Sequence, residues 1–223
     1  MFRSSRRPVV FPQAEHARFA ATIALAWGNG EFPKPALPFE SFVRGVALHD
    51  RGYEALDTDG IGEVPRGRWL EIQRRSFMPQ DDDPVVDLVV AMHVHRLVSP
   101  PRDEFERKAV DEMSAQLPEL QRRARVDPVA ATAADTVTDL CDRISFDLCV
   151  EEATTGGAAV ATDSHGGRRE VRYAIDGRGL VCVEPWPLRP TRLDVLLVGY
   201  RAERYPQELE PVVETIRVER GRT

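Results

Sequence analysis

Apolar positions recur along the first two thirds of the chain at helical spacing. In "QAEHARFAATIALAWG" (13–28) Ala17, Ala20, Ala21, Ala24, Leu25 and Trp27 form one side, and Gly28 ends the run; an amphipathic helix is predicted. "FESFVRGVALHD" (39–50) aligns Phe42, Val46 and His49, with Val43, Ala47 and Asp50 on the adjoining stripe, and predicts a second helix ending at Gly52. Residues 54–83 are rich in Asp, Gly, Pro and Arg around one short helical stretch (67–77), and a loop excursion of that length points to function. "PVVDLVVAMHVHRLV" (84–98) opens on a proline and is apolar almost all round, so it reads as a buried central helix. Residues 102–125 are helical and heavily charged, predicting a surface hairpin. Residues 128–152 form the last long helix, with Val137, Leu140, Ile144 and Leu148 as its core stripe.

After residue 153 the period changes. A Gly- and Thr-rich linker (154–167) leads into "REVRYAIDGRGLVCVEP" (169–185), where Val171, Tyr173 and Ile175 alternate around Asp176-Gly177-Arg178-Gly179, a hairpin signal. "RLDVLLVGYRAER" and "ETIRVER" predict two more strands, while Pro8–Pro12 reads only as an extended entry. Helices first and strands last predict an α+β protein. Its expected parts are a helical domain over 1–153, with its core at about 13–152, and a linker plus small antiparallel sheet over 154–223 packed on that core.

Composition narrows the function classes. With 223 residues the chain can bury a core without staples, and no run approaches the roughly 18 apolar residues of a membrane span. A net charge of −6 argues against a nucleic-acid binder. The basic N-terminus lacks an apolar leader segment, so a cytoplasmic location is expected. Three cysteines without C-x-x-C spacing read as reduced, mostly buried thiols. The long strand "RLDVLLVGY" suggests an edge through which a homodimer would pair.

Chemistry concentrates in histidines and aspartates. Four of the five histidines, His16, His49, His93 and His95, fall on predicted helices. His93 follows Val86, Val89 and Val90 at helical spacing and so points inward. Asp142 sits at the edge of the last helix's apolar stripe, with Asp135 and Asp139 continuing that edge outward; a carboxylate there caps a wet pocket or holds a cation. Singly, each has a plain account: a first-turn His, a helix-end His-Asp, a hydrogen-bonded core His, a solvated acidic face. Together, His16, His49-Asp50 and Asp142 from three helices form a donor set suited to Mn, Fe, Zn, Ni or Mg. A break at Gly52 would let His49 and Asp50 face one point.

"QAEHA" (13–17), "HDRGY" (49–53), "MHVHRL" (92–97), "LCDRISFDLC" (140–149) and "VEPWPL" (183–188) resemble, in order, a bacterial family described only as a domain of unknown function, with Tyr53 for its usual Trp and Glu15 for its Asp. More distantly, the series resembles the HD superfamily of metal-dependent phosphohydrolases, which implies an HD-like helical core. The resemblance implies His16, His49, Asp50 and Asp142 as ligands of one divalent metal ion, with a second ion near His93 as an option. It further implies His93 and Asp50 as catalytic groups, and hydrolysis of a phosphorylated small molecule or nucleotide by a metal-activated water. Arg18, Arg51 and Arg68 are the candidate phosphate clamps, and His95 is a candidate outer neighbour of the site. The competing expectation is a metal- or anion-binding regulatory protein without turnover.

Overall fold

The computed structural model describes residues 1–151, 157–176 and 178–221. Part of the predicted linker (154–156) and Gly177 of the predicted hairpin turn lie outside the described residues. Six helices are present among the described residues: α1 (Gln13–Ala26), α2 (Phe39–Ala47), α3 (Arg66–Phe77), α4 (Pro84–Val98), α5 (Glu104–Ala124) and α6 (Pro128–Val150). Strands β1 (Phe2–Arg3) and β2 (Val9–Phe11) precede them; β3 (Gly157–Thr162), β4 (Arg168–Ile175), β5 (Val181–Glu184), β6 (Arg192–Arg201) and β7 (Pro211–Arg220) follow.

Local chemistry accounts for the helix ends. An Asp-Pro pair starts both α4 and α6: Asp83 accepts from Val85 N–H, Asp127 accepts from Val129 and Ala130 N–H, and the proline fills the first helical position, where its missing N–H costs nothing. Gly28, at φ +105°, turns the chain after α1. α4 lies at the centre, touching α2, α3, α5 and α6. Its approach to α2 is close enough that a Cβ at Gly45 would lie 2.6 Å from Val89 Cβ.

Two expectations are corrected. The chain does not build an HD-like helical core with a small antiparallel sheet appended. It builds one curled seven-stranded sheet in the order β1-β2-β6-β7-β5-β4-β3, and the β5–β7 pair is parallel, with Val181 opposite Val218. Strands on both sides of residue 153 share that sheet, because the extended entry is β2, whose Val9 pairs with Arg201. A three-residue strand is too short to show a period, and the close passage of Val9 and Phe11 over Gly199 is invisible in sequence. Second, residues 104–124 are a single helix, with Pro118 tolerated on an exposed position. β6 is paired by β7 from Arg192 to Tyr200 but by β2 only at Tyr200 and Arg201, and the strand order ends in β1 and β3.

One face of the sheet is buried. Val171, Tyr173, Ile175, Val181, Val183, Val195, Leu197, Ile216 and Val218 belong to the main core, where the sheet meets α1 and α6. α1 and α6 are thereby clamped between the sheet and α2 and α4. Ser145 Oγ, fully buried on α6, donates to the His16 carbonyl of α1 at 2.8 Å, which sets the register of these two helices where the histidine lies. Among the described residues no helix is long and apolar enough to cross a membrane.

Candidate metal centre

His16 sits one turn into α1, facing α6. α2 ends at Ala47, earlier than predicted, and residues 48–53 continue in tight turns: Leu48 N–H donates to Gly45 O, His49 N–H to Val46 O, Arg51 N–H to Leu48 O and Tyr53 N–H to Asp50 O. In that tightened backbone two adjacent side chains reach one point, which a regular helix would forbid. Gly52 has no positive φ. Its role is close approach, since a Cβ there would lie 2.5 Å from Ile72 O and 2.7 Å from Ser76 Cβ of α3.

These turns bring the doublet to His16 and Asp142. His16 Nε2 lies 3.1 Å from His49 Nε2 and 3.0 Å from Asp142 Oδ1. Asp50 Oδ2 is 3.8 Å from His16 Nε2 and 3.7 Å from His49 Nε2, and Asp142 Oδ1 is 3.6 Å from His49 Nε2. Four donors around one ion at about 2.0–2.2 Å would be separated by roughly 2.8–3.6 Å in octahedral or tetrahedral arrangement. The observed spacings match that range to within a few tenths of an ångström. Two ring nitrogens 3.1 Å apart also need a proton or a cation between them, because two lone pairs repel.

His49 is braced through its other ring nitrogen: its Nδ1–H donates to Val46 O at 2.7 Å, which turns Nε2 toward the centre. Among the described residues His16 Nδ1 is buried and has no hydrogen-bond partner, and one turn back on the same helix Gln13 Oε1 is buried and has none either. His93, from α4, spans the outer carboxylate oxygens, with Nε2 3.5 Å from Asp50 Oδ1 and Nδ1 3.6 Å from Asp142 Oδ2. Two donor groups can be drawn, His16/His49/Asp142 and His49/Asp50/His93. Both use His49, whose Nδ1 is already engaged, so they compete for one nitrogen and do not define two independent ion sites.

The cluster is strongly coupled electrically. Burial disfavours the charged form of His49, but Asp50 and Asp142 override it and push His49 up to about 9. Burial alone would raise both carboxyls, yet hydrogen bonds from His16 and His49 hold Asp142 well below the usual carboxylate range, and His49 with His93 holds Asp50 down as well. His93 moves the other way, lowered by burial and by the neighbouring His49 charge. The arrangement is two carboxylates facing histidines from α1, from the turns after α2 and from α4, nearly sealed from water. The three imidazoles are each 1% exposed, and the only openings are at Asp50 and Asp142, with side chains 10% and 15% exposed.

The arginines named as phosphate clamps are each engaged elsewhere. Arg18 binds Glu15 and the Leu196 carbonyl of β6. Arg51 is buried against Asp87, Ser76 O and Met78 O, bracing the doublet's turn on α3 and α4. Arg68 pairs with Asp59 and lines a cavity of about 310 Å³ together with Tyr53 and Arg75; none of the five site residues lines it. His95 faces α5, where its Nε2 meets Ser114 Oγ. Sequence reasoning missed Arg96. It pairs with Asp135 and Asp139 and places Nη2 3.1 Å from His93 Nδ1. The signal was present: three acids at 135, 139 and 142 on one helix edge require a cation from a facing helix.

Fold and site together define an α+β protein with a buried His/Asp cluster held between helices that rest on a large curled sheet. The chain matches the model of the family described as "Protein of unknown function (DUF3891)" over residues 2–67 and 69–202, and it belongs to that family. No curated protein and no solved structure matches it.

Proposed function

We propose that this protein binds one divalent cation through His16, His49, Asp50 and Asp142 and uses it to hydrolyse a small phosphorylated molecule. The observation that carries the reading is the convergence of those four donors, from three separate segments, at spacings suited to one ion. When bound, such an ion lowers the pKa of a coordinated water and polarises an ester oxygen. The chain's own contribution is to hold two carboxylates ionised, to orient them through their outer oxygens, and to restrict water to the side where Asp50 and Asp142 are exposed.

A second reading has its own support. Arg18, Arg51 and Arg68 are all engaged away from the cluster, and the cluster is nearly enclosed. Both facts favour a protein that holds the ion without turnover.

Metal analysis of protein purified without chelator, beside His49→Ala and Asp142→Ala, tests the common premise. The expected result is one ion per chain in the wild type after supplementation with Mn, Fe, Zn, Ni or Mg, and none in the variants. Equal metal content in all three proteins would refute it. A phosphate-release screen with each loaded form then separates the readings: release that disappears in His49→Ala supports hydrolysis, and silence across a broad substrate panel supports the non-catalytic protein.

A further inference from the structure

Arg96 reaches the cluster at two places, 3.1 Å from His93 Nδ1 and 3.9 Å from Asp142 Oδ2, and the chemistry of the first is unambiguous. A guanidinium carries only N–H donors, so the 3.1 Å contact from Arg96 Nη2 makes His93 Nδ1 an acceptor. The alternative, an Nδ1–H donating to Asp142 Oδ2, would span 3.6 Å, beyond hydrogen-bond length. A neutral ring whose Nδ1 accepts carries its proton on Nε2. That nitrogen is buried, lacks a hydrogen-bond partner among the described residues, and lies 3.5 Å from Asp50 Oδ1. His49 is turned the opposite way, with Nδ1–H donating to a carbonyl and Nε2 facing the other donors.

We propose that Arg96 is a positioning residue. By donating to His93 Nδ1 it holds His93 as the Nε2–H tautomer, whose N–H faces the outer oxygen of Asp50 at 3.5 Å and is not available as a metal ligand. The centre therefore takes one ion, and His93 orients Asp50 from behind. Arg96 is itself fixed by bonds to Asp135 and Asp139 on α6, so the same guanidinium locks α4 to α6 at the level of Asp142. This inference rests on the metal-binding reading only in its second half; the tautomer is a property of the metal-free protein.

The test is long-range proton–nitrogen correlation NMR on ¹⁵N-histidine-labelled full-length protein, with the His93 signals assigned by their loss in His93→Gln. In the metal-free protein His93 is expected as the Nε2–H tautomer. On addition of one equivalent of Zn²⁺, His16 and His49 should shift to the coordinated pattern while His93 keeps its Nε2 proton. An Nδ1–H tautomer in the metal-free protein, or loss of the His93 Nε2 proton on zinc addition, overturns the inference. Should zinc move neither His16 nor His49 while His93 remains Nε2–H, the metal reading falls and the Arg96–His93 arrangement is supported. In Arg96→Gln the second tautomer should appear; a His93 signature unchanged in a folded Arg96→Gln protein also overturns the assignment. If that variant does not fold, the wild-type measurement decides alone.

Discussion

Metal binding should compete with a proton on His49, and the competition has a definite size. Without metal, Asp50 and Asp142 hold this imidazole up to about 9, against an ordinary value of 6.5. A ligand must be deprotonated, so below pH 9 each ion displaces a proton from His49 Nε2. Between pH 6.5 and 9 the deprotonated fraction rises from about 0.3% to about one half, roughly a 150-fold change, or about 3 kcal/mol. Asp50 and Asp142 are held below their usual range and add nothing to the slope above pH 6. Affinity for Mn²⁺ is therefore expected to tighten about tenfold per pH unit from 6.5 to 8.5. Titration calorimetry at pH 7 in buffers of different ionisation enthalpy should report about one proton released from His49 per ion bound. A flat affinity over that interval, with no His49-dependent proton release, would refute the argument: His49 would then be either not a ligand or not charged in the metal-free protein.

The same shift sets the stability of the metal-free protein. Because the folded His49 value lies above the unfolded one, its contribution of about 3 kcal/mol is complete below pH 6.5 and is lost as pH rises through 9, so Tm should fall over that window by several degrees in thermal unfolding. On the acid side the depressed Asp50 and Asp142 values make stability fall as pH drops below about 4. Asp87 accepts from Arg51, Gln80 N–H and Asp81 N–H, with Arg51 and Asp87 side chains 8% and 2% exposed; Asp87→Ala should cost about 3–5 kcal/mol and lower Tm by roughly 10 °C, measured by calorimetry. Gly52→Ala forces α3 away from the doublet, and should weaken metal affinity more than tenfold in a chelator competition.

Sequence periodicity locates the long helices and the residues that meet at the site, because each carries many repeats of a 3.6-residue pattern and because a polar residue on an apolar stripe stands out. His93 and Asp142 were legible for that reason. What periodicity does not carry is the sheet. β1 and β2 hold two and three residues, and β3 is "GAAVAT", whose alternation is muted by alanine. The N-terminal pair nevertheless decides the architecture: β2 extends the sheet beyond β6, and Phe2 packs edge-on against His16, with ring centroids 4.9 Å apart. The expected helical core failed at this point, since helices that rest on a sheet need not close on themselves.

The partners of charged groups were also illegible, for a different reason. An arginine's reach is long enough to satisfy several candidate acids, and sequence spacing does not rank them. Arg18, Arg51 and Arg68 look equally available in sequence, and each is occupied by an acid or carbonyl that folding brings up. Arg96 was passed over although it follows His93 by one helical turn, the separation at which side chains meet. The donor set and its support therefore follow different logics. Ligands must be rare residue types placed inward, which a single sequence displays, while the groups that set a ligand's tautomer are common residues whose role depends on which atom they face. The arginine at position 96 gains its role from three aspartates on another helix and one nitrogen on its own.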